Sequence, residues 1–152
     1  MMALGLMAAC STLDCPLNNT VYTKYKLDGT VTELTGCTMT VSTTKRDGED
    51  SILINKDENV DSFILPMSYA NSADTLYFEV QDRLERVFKD TVIVAKDNQP
   101  HFESIDCSPS YFHTITGVKT TQHLIDSIVI NHKDVNFDAT KTHFLIYFGT
   151  RE

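Results

Sequence analysis

Apolar residues recur at every second position through most of this chain, and a side-chain period of two belongs to the β-strand. Val21, Thr23, Tyr25 and Leu27 alternate with Tyr22, Lys24 and Lys26, and Asp28-Gly29 closes the segment. The pattern returns at Met39 and Val41, at Ile52 and Ile54, and at Phe63, Leu65, Met67 and Tyr69, where Pro66 marks an edge or bulged strand. Leu76, Phe78 and Val80 form a further strand, and others follow over 92–95, 101–105, 111–118, 127–131 and 143–148. Lys96-Asp97-Asn98 reads as the turn that closes 92–95. Over 82–89, Leu84, Val87 and Phe88 have helical spacing, but the segment is short for a helix and equally fits the tip of a long hairpin. Residues 117–125 leave room for one helical turn.

Short strands separated by turn residues, with no sustained helical period, predict an all-β domain. The expected architecture is an antiparallel immunoglobulin-like β-sandwich. An eight-stranded lipocalin-like barrel is the alternative, because closure needs the same alternation. A chain of 152 residues suits one such domain, expected over 20–150.

The front of the chain reads differently. Leu6 to Cys10 is an apolar run that ends in two alanines and a cysteine, too short to span a bilayer. It fits the end of a lipoprotein signal, with 1–9 as its remnant, Cys10 as the lipidated residue and 10–19 as a polar tether. The expectation is an exported domain anchored to a membrane by its acyl chains, in the cell envelope on the outer membrane, facing the periplasm or the cell surface. The formal net charge of −8 argues against nucleic acid as a partner, and no basic stretch offsets it. Beyond Cys10 there are cysteines at 15, 37 and 107, enough for one disulfide in an oxidising compartment. A Cys15–Cys107 bridge would staple the tether to the body, while a pairing of Cys37 stays open.

Four strands are expected to open on Asp, then Ser or Thr, then an apolar residue: Asp50-Ser51-Ile52, Asp74-Thr75-Leu76, Asp90-Thr91-Val92 and Asp126-Ser127-Ile128. Aspartate in this setting satisfies local backbone donors in a turn. The triplet also resembles the acceptor motif of O-glycosylation in Bacteroides-like bacteria, which makes Ser51, Thr75, Thr91 and Ser127 candidate glycan sites. No HExxH, phosphate loop or CxxC pair occurs, so no cofactor is implied and no catalytic residue is assigned. His101, Cys107 and His113 would approach a three-ligand metal set only if 106–110 reverses tightly, in competition with the disulfide. His123 and Asp126 would make an orienting pair without a nucleophile beside them. The stretch around Pro100-His101-Phe102-Glu103-Ser104 places a histidine and an acid around an aromatic ring. His101, Phe102, Tyr111, His113 and His123 are therefore the candidate ligand or interaction residues, and Tyr69, Tyr77, Tyr111 and Phe112 the candidate liners of a pocket.

Asp14-Cys15-Pro16-Leu17-Asn18-Asn19, Asp74-Thr75-Leu76, the run from Pro100 to Cys107, His123-Leu124-Ile125-Asp126-Ser127-Ile128 and the closing Ile146-Tyr147-Phe148 resemble a family of small uncharacterised lipoproteins of Bacteroidales. The resemblance implies an envelope lipoprotein with Cys15 and Cys107 as the natural pair and Cys37 as an addition. It lends no reaction or ligand. The expected function is a non-enzymatic one, engaging an envelope protein or assisting an assembly. The alternative is a small-molecule or glycan-binding module, which requires an aromatic-lined concavity.

Overall fold

A computed structural model describes residues 20–149 apart from 45–47, 49, 70 and 139. The expectations for the signal remnant, the tether, the lipidated Cys10 and Cys15 fall outside the described residues. The described chain is all-β: β1 (Tyr22–Leu27), β2 (Thr38–Thr44), β3 (Asp50–Glu58), β4 (Ser62–Pro66), β5 (Ala73–Gln81), β6 (Val87–His101), β7 (Ser110–Thr120), β8 (Ile125–Ile130), β9 (Asp134–Val135) and β10 (Phe144–Phe148). They form two sheets, a four-stranded one ordered β4-β1-β10-β8 and a six-stranded one ordered β3-β2-β5-β6-β7-β9. One of the two is curled into a half-barrel.

Alternation places the core between the sheets. Tyr25 of β1 is fully buried, stacked on Phe63 at 4.9 Å and on Phe144 at 4.7 Å between ring centroids. Phe78 of the six-stranded sheet meets this stack from across the core, 5.9 Å from Phe63 and 6.5 Å from Tyr25. Each such pair adds roughly 0.5–1.5 kcal/mol beyond the area it buries, and the two Phe78 contacts join the sheets within the wider apolar core.

Several expectations are corrected. The sheet is not wholly antiparallel, because β1 runs parallel to β10. This pairing brings the first and last strands together, which no local pattern encodes. Lys96-Asp97-Asn98 is not a turn: β6 is one strand of 15 residues that runs from Val87 to His101, so 92–95 and the start of 101–105 belong to it. A register shift at Ala95/Lys96 accommodates the polar residues within the ladder to β7. Residues 82–86 form the β5–β6 turn, not a helix: the Asp82 carboxylate accepts the backbone N–H groups of Leu84 and Arg86, and Arg86 Nε lies 2.7 Å from Asp82 Oδ2. No helix forms over 117–125 either, since β7 continues to Thr120 and a corner leads directly into β8. Pro66 ends the edge strand β4, as expected of a residue without a ladder donor.

Among the described residues no disulfide joins two cysteines, Cys37 being free, whereas Cys107 is disulfide-bonded; the expectation is corrected in that the Cys15–Cys107 bridge is not a bond between described residues. Cys37 is a free thiol, half-buried beside Asp82, and burial raises its pKa. Cys15, the expected partner of Cys107, lies outside the described residues.

Candidate functional site at the β6–β7 hairpin

The long hairpin of β6 and β7 carries four of the five expected site residues, and register sorts them onto different faces. His101 pairs with Ser110 and Gln99 with Phe112, while Asn98 pairs with His113 and Pro100 with Tyr111. Since successive residues alternate, His101 and Phe112 share one face and His113 points to the other. The three-ligand set of His101, Cys107 and His113 therefore does not assemble. Among the described residues no group of three or more His, Cys, Asp or Glu is placed to hold a metal ion.

On the inner face a polar network anchors the hairpin. Lys96 is buried, and its Nζ donates to the carbonyl oxygens of Ser68 at 2.8 Å and Asn71 at 2.7 Å and to Asn98 Oδ1 at 2.6 Å. Asn98 Nδ2 donates to the same Asn71 carbonyl at 2.9 Å, which fixes the orientation of the amide. His113 Nδ1 lies 2.7 Å from Asn98 Oδ1. That oxygen can only accept, so the proton of neutral His113 resides on Nδ1. His113 Nε2 is buried without a hydrogen-bond partner among the described residues. Burial, reinforced by the Lys96 charge and opposed by Asp74, pushes the His113 pKa down to about 4. Burial also lowers Lys96 below the ordinary lysine range, against the pull of Asp74. Asp74 in turn holds the turn before β5, accepting from the backbone N–H of Ser68 at 3.1 Å and from the Ser68 hydroxyl. An uncharged histidine and a fully engaged ammonium, both sealed from solvent, make a staple that ties β6 and β7 to the β4–β5 connection.

The outer face and the tip are aromatic and open. His101 stacks on Phe112 at 4.2 Å, and Phe137, from the loop after β9, meets both rings edge-on at 6.0 and 5.1 Å. His101 Nε2 lies 3.0 Å from Glu103 Oε1, so the acid and the histidine expected around this aromatic stretch do meet. Phe102 is 58% exposed, Phe137 42% and Ile105 98%, the last with almost its whole side chain in water. Tyr111 instead stacks on Tyr69 at 5.6 Å, apart from the His101 group.

His123 does not join the hairpin cluster. It sits at the β7–β8 corner with Nδ1 3.3 Å from Asp90 Oδ1. Asp90 is the residue most misjudged from the sequence: it lies within β6 with its carboxylate buried, and it does not open a strand. Its Oδ1 accepts from Thr121 Oγ1 at 2.7 Å and from the His123 N–H at 2.8 Å, and its Oδ2 from the N–H groups of Leu124 at 2.8 Å and Ile125 at 2.9 Å. Burial opposes its ionisation, but the donors of His123, Ile125, Thr121 and Leu124 outweigh burial and hold its pKa below the usual carboxylate value.

Sequence reasoning also missed Lys96, Asn98 and Phe137. The signal for the first two was present, since Asp90, Val92, Val94, Lys96 and Asn98 continue one inward period of two. Of the candidate glycan sites, Ser51, Thr75 and Thr91 are half-buried in β3, β5 and β6, and Ser127 is exposed on the edge strand β8.

A family model described as a family of unknown function (DUF6452) matches residues 38–148, from the first residue of β2 to the last of β10, and the chain belongs to that family. Comparison with curated proteins and with solved structures gives no match.

Proposed function

We propose that this member of a family of unknown function is a non-enzymatic interaction domain of the cell envelope, held on the membrane through acylated Cys10, that grips an envelope protein with the tip of the β6–β7 hairpin. The observation that carries the reading is the exposure of three large apolar side chains, Phe102 and Ile105 in the β6–β7 loop and Phe137 against the His101–Phe112 stack, on a hairpin anchored by the buried Lys96–Asn98–His113 staple. Large apolar side chains left in water cost free energy, and a rigid support lowers the entropy lost when they bind. The sequence resemblance to Bacteroidales lipoproteins supports the envelope location. Two separate sheets with open edges favour the sandwich over the closed barrel.

The test uses the full chain expressed in its native envelope, with a photo-crosslinking residue at position 102 and, as a control, at position 26 of β1. One specific adduct at 102, absent at 26 and lost when Ile105→Ser and Phe137→Ser are added, is the expected result. Cys10→Ala is expected to release the protein into the soluble fraction. An absence of any adduct specific to 102 refutes the interaction surface, and retention of Cys10→Ala on the membrane refutes the anchor.

A further inference from the structure

The outward face of the six-stranded sheet carries a second feature, independent of the hairpin tip. Tyr77 of β5 stands between Ser42 of β2 and Thr91 of β6 in one cross-strand row, and the next row is Thr40, Glu79 and Lys89. A tyrosine flanked on both sides by residues no larger than threonine leaves its ring standing above a trough. The trough encloses about 380 Å³ and is lined by Thr40, Ser42, Asp50, Tyr77, Glu79 and Thr91, among others. Tyr77 is 39% exposed, and Thr44 Oγ1, 3.4 Å from its hydroxyl, steadies the ring. Thr44 Oγ1 is itself 3.1 Å from Asp50 Oδ1, so the rim is a row of hydroxyl and carboxylate groups.

We infer that this trough binds a neutral saccharide. A pyranose ring offers an apolar C–H face, which packs on an aromatic ring, and an equatorial fringe of hydroxyls, which carboxylates accept from and small hydroxyls accept from or donate to. Tyr77 supplies the first requirement, and Ser42, Thr91, Thr40, Glu79 and Asp50 the second. Charge decides against an anionic ligand: the trough presents Asp50 and Glu79 against Lys89, whose ammonium is 3.9 Å from Glu79. The residues that bind would come from four adjacent strands of one sheet, β3, β2, β5 and β6, so the site is largely formed before the ligand arrives.

The full 152-residue chain, labelled with ¹⁵N, is titrated with cellotetraose, maltotetraose, mannotetraose and tri-N-acetylchitotriose as separate probes. Saturable shifts are expected with at least one probe, confined to the amides of β2, β5 and β6 around Ser42, Tyr77 and Thr91. Tyr77→Ala is expected to weaken that probe about tenfold or more, and Tyr77→Phe, which keeps the ring, to stay within about threefold of the parent. Should Tyr77→Ala lose its folded spectrum, Ser42→Lys, which fills the trough from the neighbouring strand, is expected to give the same loss. No shift with any probe, shifts centred elsewhere, or undiminished binding in the variant that folds overturns the inference. None of these outcomes bears on the hairpin tip, which lies at the far end of β6.

Discussion

Asp90→Asn is the sharpest probe of how this fold is held. The substitution changes one oxygen to an NH₂ group at nearly constant volume, in a carboxylate that serves four donors. Two donors converge on each oxygen: Thr121 Oγ1 and the His123 N–H on Oδ1, the Leu124 and Ile125 N–H groups on Oδ2. Turned one way, the NH₂ faces the Leu124 and Ile125 N–H groups, which both lose their acceptor; turned the other way, it faces the His123 N–H, which loses its acceptor, and the Thr121 hydroxyl, which must reverse to accept. A hydrogen bond to a charged group contributes roughly 1.5–3 kcal/mol, and such terms are not additive, so the loss is expected at about 3–5 kcal/mol. Domains of this size have about 5–15 kcal/mol in all, so the variant is left marginal. Urea unfolding should show the midpoint fall with an unchanged slope, and amide exchange at 123–125 should accelerate. The linkage gives a second readout. A carboxylate whose pKa is depressed in the folded state contributes stability that is present above its unfolded value and lost as pH falls through the native one. Part of the acid limb of the wild-type stability profile should therefore vanish in Asp90→Asn. A cost under about 0.5 kcal/mol would mean that the β7–β8 corner holds its shape without this carboxylate, and the reasoning would fail.

Two further outcomes follow. His113 is a base whose folded pKa is depressed to about 4 from 6.5, so the unfolded chain binds the proton first and stability declines as pH falls through that window. His113→Phe should flatten the decline, and a ¹⁵N spectrum of the parent at pH 5 should show a neutral ring protonated on Nδ1; a charged His113 at that pH would contradict the buried staple. Gly29 has φ of +85°, and a Cβ there would stand 2.9 Å from the Tyr147 ring, so Gly29→Ala is expected to cost about 1–2 kcal/mol in thermal or urea unfolding, with a neutral effect as the refuting result.

The class of the fold was legible because a period of two is written residue by residue. Val21 to Leu27, Leu76 to Val80 and the closing strand around Ile146 all appear where alternation put them. Along β1 and β5 the sequence by itself determined which side chains face inward, although in β3 Ile52 of the same alternation is 61% exposed. It also showed the cluster around His101, where a histidine, an acid and an aromatic ring lie within three positions. The partners of those inward side chains were decided only by the tertiary structure. Lys96-Asp97-Asn98 has the composition of a turn, and it stays in the strand because the Ser68 and Asn71 carbonyls, distant in sequence, receive the Lys96 ammonium. Asp90 looked like a turn residue for the same reason, until the corner at 121–125 folded over it. The parallel contact of β1 with β10, sealed where His143 accepts the Lys24 N–H on Nδ1 and donates from Nε2 to the Asp134 carbonyl, joins residues at opposite ends of the described chain. Alternation is a property of neighbours along the chain, whereas the satisfaction of a buried charge depends on whatever the fold brings beside it.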